Sequence, residues 1–204
     1  MSGSKTLPLL PGKRSTAARY AAKLTASFLF ALTNAIFDAG IGAWDNKCAY
    51  SSVRPITPIR YLFQGREVVA WAGPYLGTRP IDGATWLPYQ PTTFPTPPFP
   101  EYSSGHSNFS AAGAEILNLF TGSDIFAASV TLPAGSSKVE PGAVPQRAVT
   151  LSWATFSDAA DQAGLSRRYG GIHFEQGDLD AGATGRLAAR RAWAKAQTYF
   201  NGAP

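Results

Sequence analysis

Lys47, Arg54, His106, Arg167 and His173 fall into three short clusters whose residue types suit one chemistry, the holding of a tetrahedral oxyanion. The first is Lys47 followed by Arg54-Pro55, a point charge and a planar fork of donors. The second is Ser104-Gly105-His106, and the third is Ser166-Arg167 with His173. Ser103 and Ser104 are good helix N-caps, Gly105 allows close backbone approach, and Phe109, Ala112, Ile116 and Leu119 recur at helical spacing. This predicts a helix with His106 in its first turn, where unpaired N–H groups and the positive end of the helix dipole favour an anion. Each cluster alone is commonplace: Ser-Gly-His before an alanine-rich helix is usually a plain capped turn, and an isolated Lys or Arg is usually a solvated charge. Three together supply a phosphate-like guest with cations, backbone donors and two imidazoles for proton transfer or nucleophilic attack.

The chain that must position them has 204 residues, 45% of them hydrophobic, enough for one domain over residues 14–204 behind a loose lead-in, 1–13, rich in Gly and Pro. A formal charge of +5 favours anionic ligands. Nucleic acid is not expected, because no basic run is interleaved with aromatics and no reader motif is present. The single cysteine, Cys48, excludes an internal disulfide, and with only two histidines a conventional zinc site is not expected. Residues 25–44 are apolar but interrupted by Asn34 and Asp38, which reads as a buried core helix rather than a membrane span. No apolar h-region with a cleavage site follows Lys5, Lys13 and Arg14, so no secretory signal is expected.

The predicted fold class is all-α, a helical bundle with long Pro/Gly-rich loops. From Arg14, residues Tyr20, Leu24, Phe28, Leu32 and Ile36 recur every fourth position, predicting a helix buried on more than one side that ends near Gly42 to Trp44. Pro55 forbids one uninterrupted helix through Lys47 and Arg54. Residues 71–100 are dense in proline and aromatics and predict an irregular loop walling a pocket, with Phe99 as its lining residue and Trp86, Tyr89, Phe94 and Tyr102 as weaker candidates. The His106 helix should stop near Gly122, residues 133–146 should be loop, and two further helices are expected at about 150–165 and 178–200. Arg186, Arg190, Arg191 and Lys195 should form a solvated face on the last one.

In order and spacing, Lys47 with Arg54-Pro55, then Ser104-Gly105-His106, then Ser166-Arg167 with His173 resemble the motifs of the vanadium-dependent haloperoxidases. That family shares its pocket and fold with the type 2 phosphatidic acid phosphatase superfamily. Gly170-Gly171-Ile172-His173-Phe174 is similar to the bacterial branch, and the resemblance runs from about Arg14 to Phe200, the C-terminal half of such proteins. Ser103 stands where the motif has proline, and Gly177 where it has an aspartate, with Glu175, Asp178 and Asp180 nearby. The resemblance implies a vanadate cofactor bonded by His173, its oxygens neutralised by Lys47, Arg54 and Arg167. Ser104 and Gly105 would donate hydrogen bonds, and His106 would be the acid–base group. The implied reaction is oxidation of a halide by hydrogen peroxide to a hypohalous species, with an organic acceptor as a further partner.

The same residues also read as an acid phosphatase, with His173 as nucleophile forming a phosphohistidine and phosphate in the vanadate position. A third reading is an inactive anion-binding fragment. In that case apolar surface left by a missing N-terminal bundle would be covered by self-association into a homo-oligomer.

Overall fold

The computed structural model describes residues 16–202. The expected lead-in, 1–13, and the expected helix start at Arg14 lie outside the described residues. Helix α1 spans Thr16–Tyr50 and α2 spans Ile56–Leu62, followed by strands β1, Glu67–Trp71, and β2, Thr78–Asp82, and one 3-10 turn at Gly83–Thr85. Helix α3 is Gly105–Thr121, strands β3 and β4 are Ile125–Leu132 and Val149–Thr155, and α4 and α5 are Phe156–Tyr169 and Glu175–Phe200. The bundle is therefore helical but not all-α. Two antiparallel hairpins, β1–β2 and β3–β4, project from it.

Both strand pairs correct sequence expectations. Val68 and Val69 are β-branched and pair with Ile81 and Pro80, so the segment leading into the proline-rich stretch is a hairpin before it becomes loop. Residues 150–155, expected as the start of a helix, are strand, because Thr131 and Thr150 pair across β3–β4 with hydroxyls 2.9 Å apart. The helix begins after Thr155, whose side chain caps the backbone of Asp158 while Asp158 caps Thr155 in return.

Helix α1 also departs from expectation. It runs through Gly42 to Tyr50, which puts Lys47 in its last turn. Its buried face is a single line of small residues, Ala31, Ala35, Ala39 and Ala43, ending in Lys47. The bulky residues are not enclosed: Tyr20 and Leu24 are exposed, as are Phe37, Ile41 and Trp44. It is thus a half-covered helix, and residues 18–50 have the length and apolar composition of a membrane-crossing helix.

The core lies where α1 and α5 pack on α3. Ala112 and Ile116 of α3 meet Ala31, Ala35 and Ala39 of α1 and Ala189 and Ala196 of α5, with Phe28, Leu32, Phe109 and Trp193 around them. Small residues let helices approach until backbones touch. A Cβ on Gly185 of α5 would sit 2.2 Å from the Asn108 carbonyl oxygen of α3. The late charges of α5 are not a purely solvated face: Arg186 pairs with Asp161 of α4 and Arg190 with Glu115 of α3, at 2.6 and 2.7 Å. Together these contacts tie α5 to α4 and to the start and middle of α3.

Candidate functional site

Lys47 is 2% exposed, and its ammonium donates to the carbonyls of Pro100, Glu101 and Ser103 at 2.9, 3.1 and 2.6 Å. All three of its N–H donors are used, so Lys47 ties the loop before α3 to the end of α1 and offers the site a charge rather than a free hydrogen bond. Arg54, in the linker before α2, donates Nε to Phe99 O at 2.9 Å and Nη2 to Pro100 O at 3.3 Å. Its Nη1 reaches Ile172 O and His173 Nε2, both at 2.9 Å. Four of five guanidinium donors are thereby engaged. Ser52, in the same linker, anchors the loop from the other side, accepting from Glu101 N and Tyr102 N.

Arg167 reaches the site from the last turn of α4, and its buried Nε has no hydrogen-bond partner. Ser104 caps α3, fully buried, and its N–H donates to Gly177 O of α5 at 2.9 Å. Ser107 Oγ lies 2.8 Å from Ser104 Oγ and 2.6 Å from Asp178 Oδ1. The carboxylate is the stronger acceptor and takes the Ser107 proton, so the Ser104 proton is left to donate to Ser107 or to a guest. Gly105 opens the helix, as expected, and His106 follows, exposed to solvent in the first turn.

His173 is buried between α4 and α5. Its Nδ1 lies 2.7 Å from Glu101 Oε1 and its Nε2 2.9 Å from Arg54 Nη1. Arginine only donates and a carboxylate accepts, so the ring is the tautomer with its proton on Nδ1 and a lone pair on Nε2. The acids expected near His173 in sequence are used elsewhere: Glu175 pairs with Arg168, Asp178 takes Ser107, and Asp180 accepts from Tyr102 at 2.8 Å. Glu101, 3% exposed, was not legible. Its only sequence signal was a lone acid placed three residues before the Ser104 cap, in a stretch otherwise free of charge.

Phe99 stands beside these groups. Lys47 Nζ and Arg54 Cζ lie 5.2 and 4.9 Å from its ring centre, and Trp44 packs on it at 5.5 Å. Of the weaker pocket candidates, Tyr89 bonds Glu140, Tyr102 bonds Asp180, and Trp86 packs against Gly171.

The electrostatics follow from crowding cations out of water with a single carboxylate among them. Burial, then the neighbouring Arg54, pulls Lys47 down to about 8, and burial pulls Arg54 down to about 10. Burial also lowers Arg167. His106 is lowered by desolvation, then by Arg167, His173 and Arg54, and His173 chiefly by its burial, so both imidazoles are neutral near pH 7. A site whose cations suppress one another's charge, with a buried guanidinium Nε unpartnered, fits an oxyanion. Among the described residues no three His, Cys, Asp or Glu side chains converge as a metal chelate.

This geometry carries a pH prediction. A lysine whose folded pKa lies below its unfolded value costs stability while both states are protonated, below about pH 8. That cost is relieved as pH rises from about 8 towards 10.5, where the folded state alone loses the proton. A bound anion restores the charge. Phosphate should therefore raise the melting temperature more at pH 7.5 than at pH 10, measured by differential scanning fluorimetry; an equal or larger shift at pH 10 refutes a role for Lys47 in the anion field.

Residues 27–202 match the family model described as the VCPO second helical-bundle domain. The chain belongs to the vanadium-dependent haloperoxidase family. Its VCPO-type bundle is similar to that of a bacterial vanadium-dependent chloroperoxidase in its apo form, at 30% identity and a TM-score of 0.78, covering 84% of this chain and 36% of that one. The holo form of a bacterial vanadium-dependent chloroperoxidase gives 30% identity and a TM-score of 0.72, covering 81% and 35%. A bacterial vanadium-dependent iodoperoxidase gives 29% identity and 0.59, covering 88% and 36%. The chain thus spans about a third of the length of these haloperoxidases. No curated protein sequence matches it.

Proposed function

We propose that this haloperoxidase-family bundle holds vanadate at the α3 N-terminus and serves the oxidation of halide by hydrogen peroxide. One observation carries the reading: Lys47, Arg54 and Arg167 are gathered around two neutral imidazoles and a capped helix start, with a buried Arg167 Nε still lacking an acceptor.

His173 presents the Nε2 lone pair that would ligate the vanadium, and the Arg54 N–H now meeting that nitrogen would turn to an anion oxygen. Arg167 would donate through its open Nε, Lys47 would contribute its charge, and the Ser104 hydroxyl and Gly105 N–H would complete the cradle. Bound vanadate supplies a Lewis acid that activates hydrogen peroxide towards attack by a halide. His106, neutral and open to solvent, takes the proton that hydrogen peroxide sheds and returns one to the departing oxygen. Phe99 shields Lys47 and Arg54 from water on one side and borders the space a halide or organic acceptor would enter.

The test is bromide oxidation with hydrogen peroxide, run with and without orthovanadate and with phosphate as competitor. Activity that requires vanadate and falls with added phosphate is the expected result. Folded protein that binds vanadate yet oxidises no bromide overturns the reading, and release of phosphate from a monoester by that protein would move the assignment to a phosphatase with His173 as nucleophile.

A further inference from the structure

Glu101 and Gly177 come from different segments and meet at one point. Glu101 Oε1 accepts from His173 Nδ1 at 2.7 Å and from Phe174 N at 3.1 Å, with the carboxylate buried. Gly177 lies one turn into α5, and a Cβ on it would fall 2.3 Å from Oε1 and 2.8 Å from Oε2 of Glu101. Its φ is not in the left-handed region, so conformation does not require glycine there; only the carboxylate does. We infer that Glu101 is the positioning residue of His173, and that Gly177 is the vacant half of one carboxylate position that either segment could fill.

The argument is geometric. Without an acceptor at Nδ1 the buried N–H is left unsatisfied and only the Arg54 donor still holds the lone pair on Nε2, so the two tautomers become mixed and the ring loses its orientation. Phe174 N is tied to the same oxygen, so the carboxylate also fixes the backbone that carries the ring. The remaining polar contact of His173 is Arg54, which favours the same tautomer from Nε2 but, being only a donor, leaves the Nδ1 proton without an acceptor. A side chain projecting from position 177 would enter the space that the Glu101 carboxylate occupies. An aspartate there is therefore excluded while Glu101 is present and is able to replace it once Glu101 is gone.

This rests on the anion-site reading above, and two readouts separate the two claims. The first is the His173 tautomer, from imidazole nitrogen shifts by NMR, assigned with His106→Ala because the chain has only two histidines. The second is affinity for orthovanadate by calorimetry. Glu101→Ala should turn the single Nδ1–H tautomer into a mixture and weaken vanadate binding on the order of 10- to 100-fold. Gly177→Asp alone should destabilise the fold, and Glu101→Ala/Gly177→Asp should recover both tautomer and affinity. Glu101→Gln keeps an acceptor and should keep the tautomer, which preserves the test if the alanine variant does not fold. A folded Glu101→Ala protein with the wild-type tautomer, or a double variant no better than Glu101→Ala, overturns the inference. Wild-type protein that binds no vanadate while the tautomer follows this pattern overturns the function proposed above and leaves the inference standing.

Discussion

Arg54→Ala should lower the melting temperature by roughly 6–12 °C and reduce vanadate affinity by about two orders of magnitude. Three carbonyls and the His173 lone pair lose a donor together. Each buried acceptor left unsatisfied costs on the order of 1–3 kcal/mol, although the space vacated admits water to some of them. Against this, removing a cation relieves the charge crowding that lowers Lys47. The hydrogen bonds win, because Phe99 O, Ile172 O and His173 Nε2 are stranded, while Pro100 O is still held by Lys47, which keeps its own three partners. A net loss of about 3 kcal/mol corresponds to the stated shift for a domain of this size. Arg54→Lys should recover little, since an ammonium cannot reach Phe99, Pro100, Ile172 and His173 at once. Thermal unfolding and calorimetric titration decide the matter: an Arg54→Ala protein melting within 2 °C or so of wild type would show that the fork is not holding the three segments together.

Gly185→Ala should have a comparable effect from outside the site. The added methyl would stand 2.2 Å from the Asn108 carbonyl, and that contact is backbone on both sides, so no side chain is able to swing away. Helix α5 must retreat from α3, with overpacking costing about 1–3 kcal/mol or more. Asn108 belongs to the first turns of α3, and Ser104 N is bonded to Gly177 O of α5. The retreat therefore also loosens the helix start that would receive the anion, and vanadate affinity should fall along with stability. If Gly185→Ala lost stability but bound vanadate as tightly as wild type, the α3–α5 contact would be shown not to set the site.

The family was more legible in the sequence than the hairpins and helix ends were. Lys47, Arg54, His106, Arg167 and His173 are gathered as their spacing suggested, because their motifs are short and each is bound to a helix end or a proline. The hairpins escaped because Val149–Thr155 runs directly into the helix it precedes, and short apolar runs do not distinguish strand from helix by period. The end of α1 differs because Gly42 is an exposed helical residue rather than a stop, and the helix continues to Tyr50. Its buried face differs as well. The sequence predicts burial on more than one side, whereas only the stripe of alanines is fully buried, with Phe28 and Leu32 half-buried beside it and Tyr20 and Leu24 exposed. Glu101 escaped because nothing local marks it: its partner lies 72 residues away, and only the folded bundle brings them together.

That alanine line has a mechanical consequence. Ala31, Ala35, Ala39, Ala43 and Lys47 form a buried stripe at four-residue spacing that winds slowly around α1, so the seating of the helix and the placement of its cation are coupled. Close-packed interiors transmit displacement rather than absorb it. Enlarging any alanine on the stripe would lift or tilt α1 like a shim under one end of a beam, shifting Lys47 and the carbonyls it grips by a distance that grows with the lever arm. Misplacements of about 1 Å cost a preorganised site roughly a hundredfold. Phe37 and Ile41, exposed on the same helix, lie off this stripe and should tolerate change with less effect on the anion cradle, whereas Trp44 packs on Phe99 and beneath the Lys47 ammonium and belongs to its surroundings.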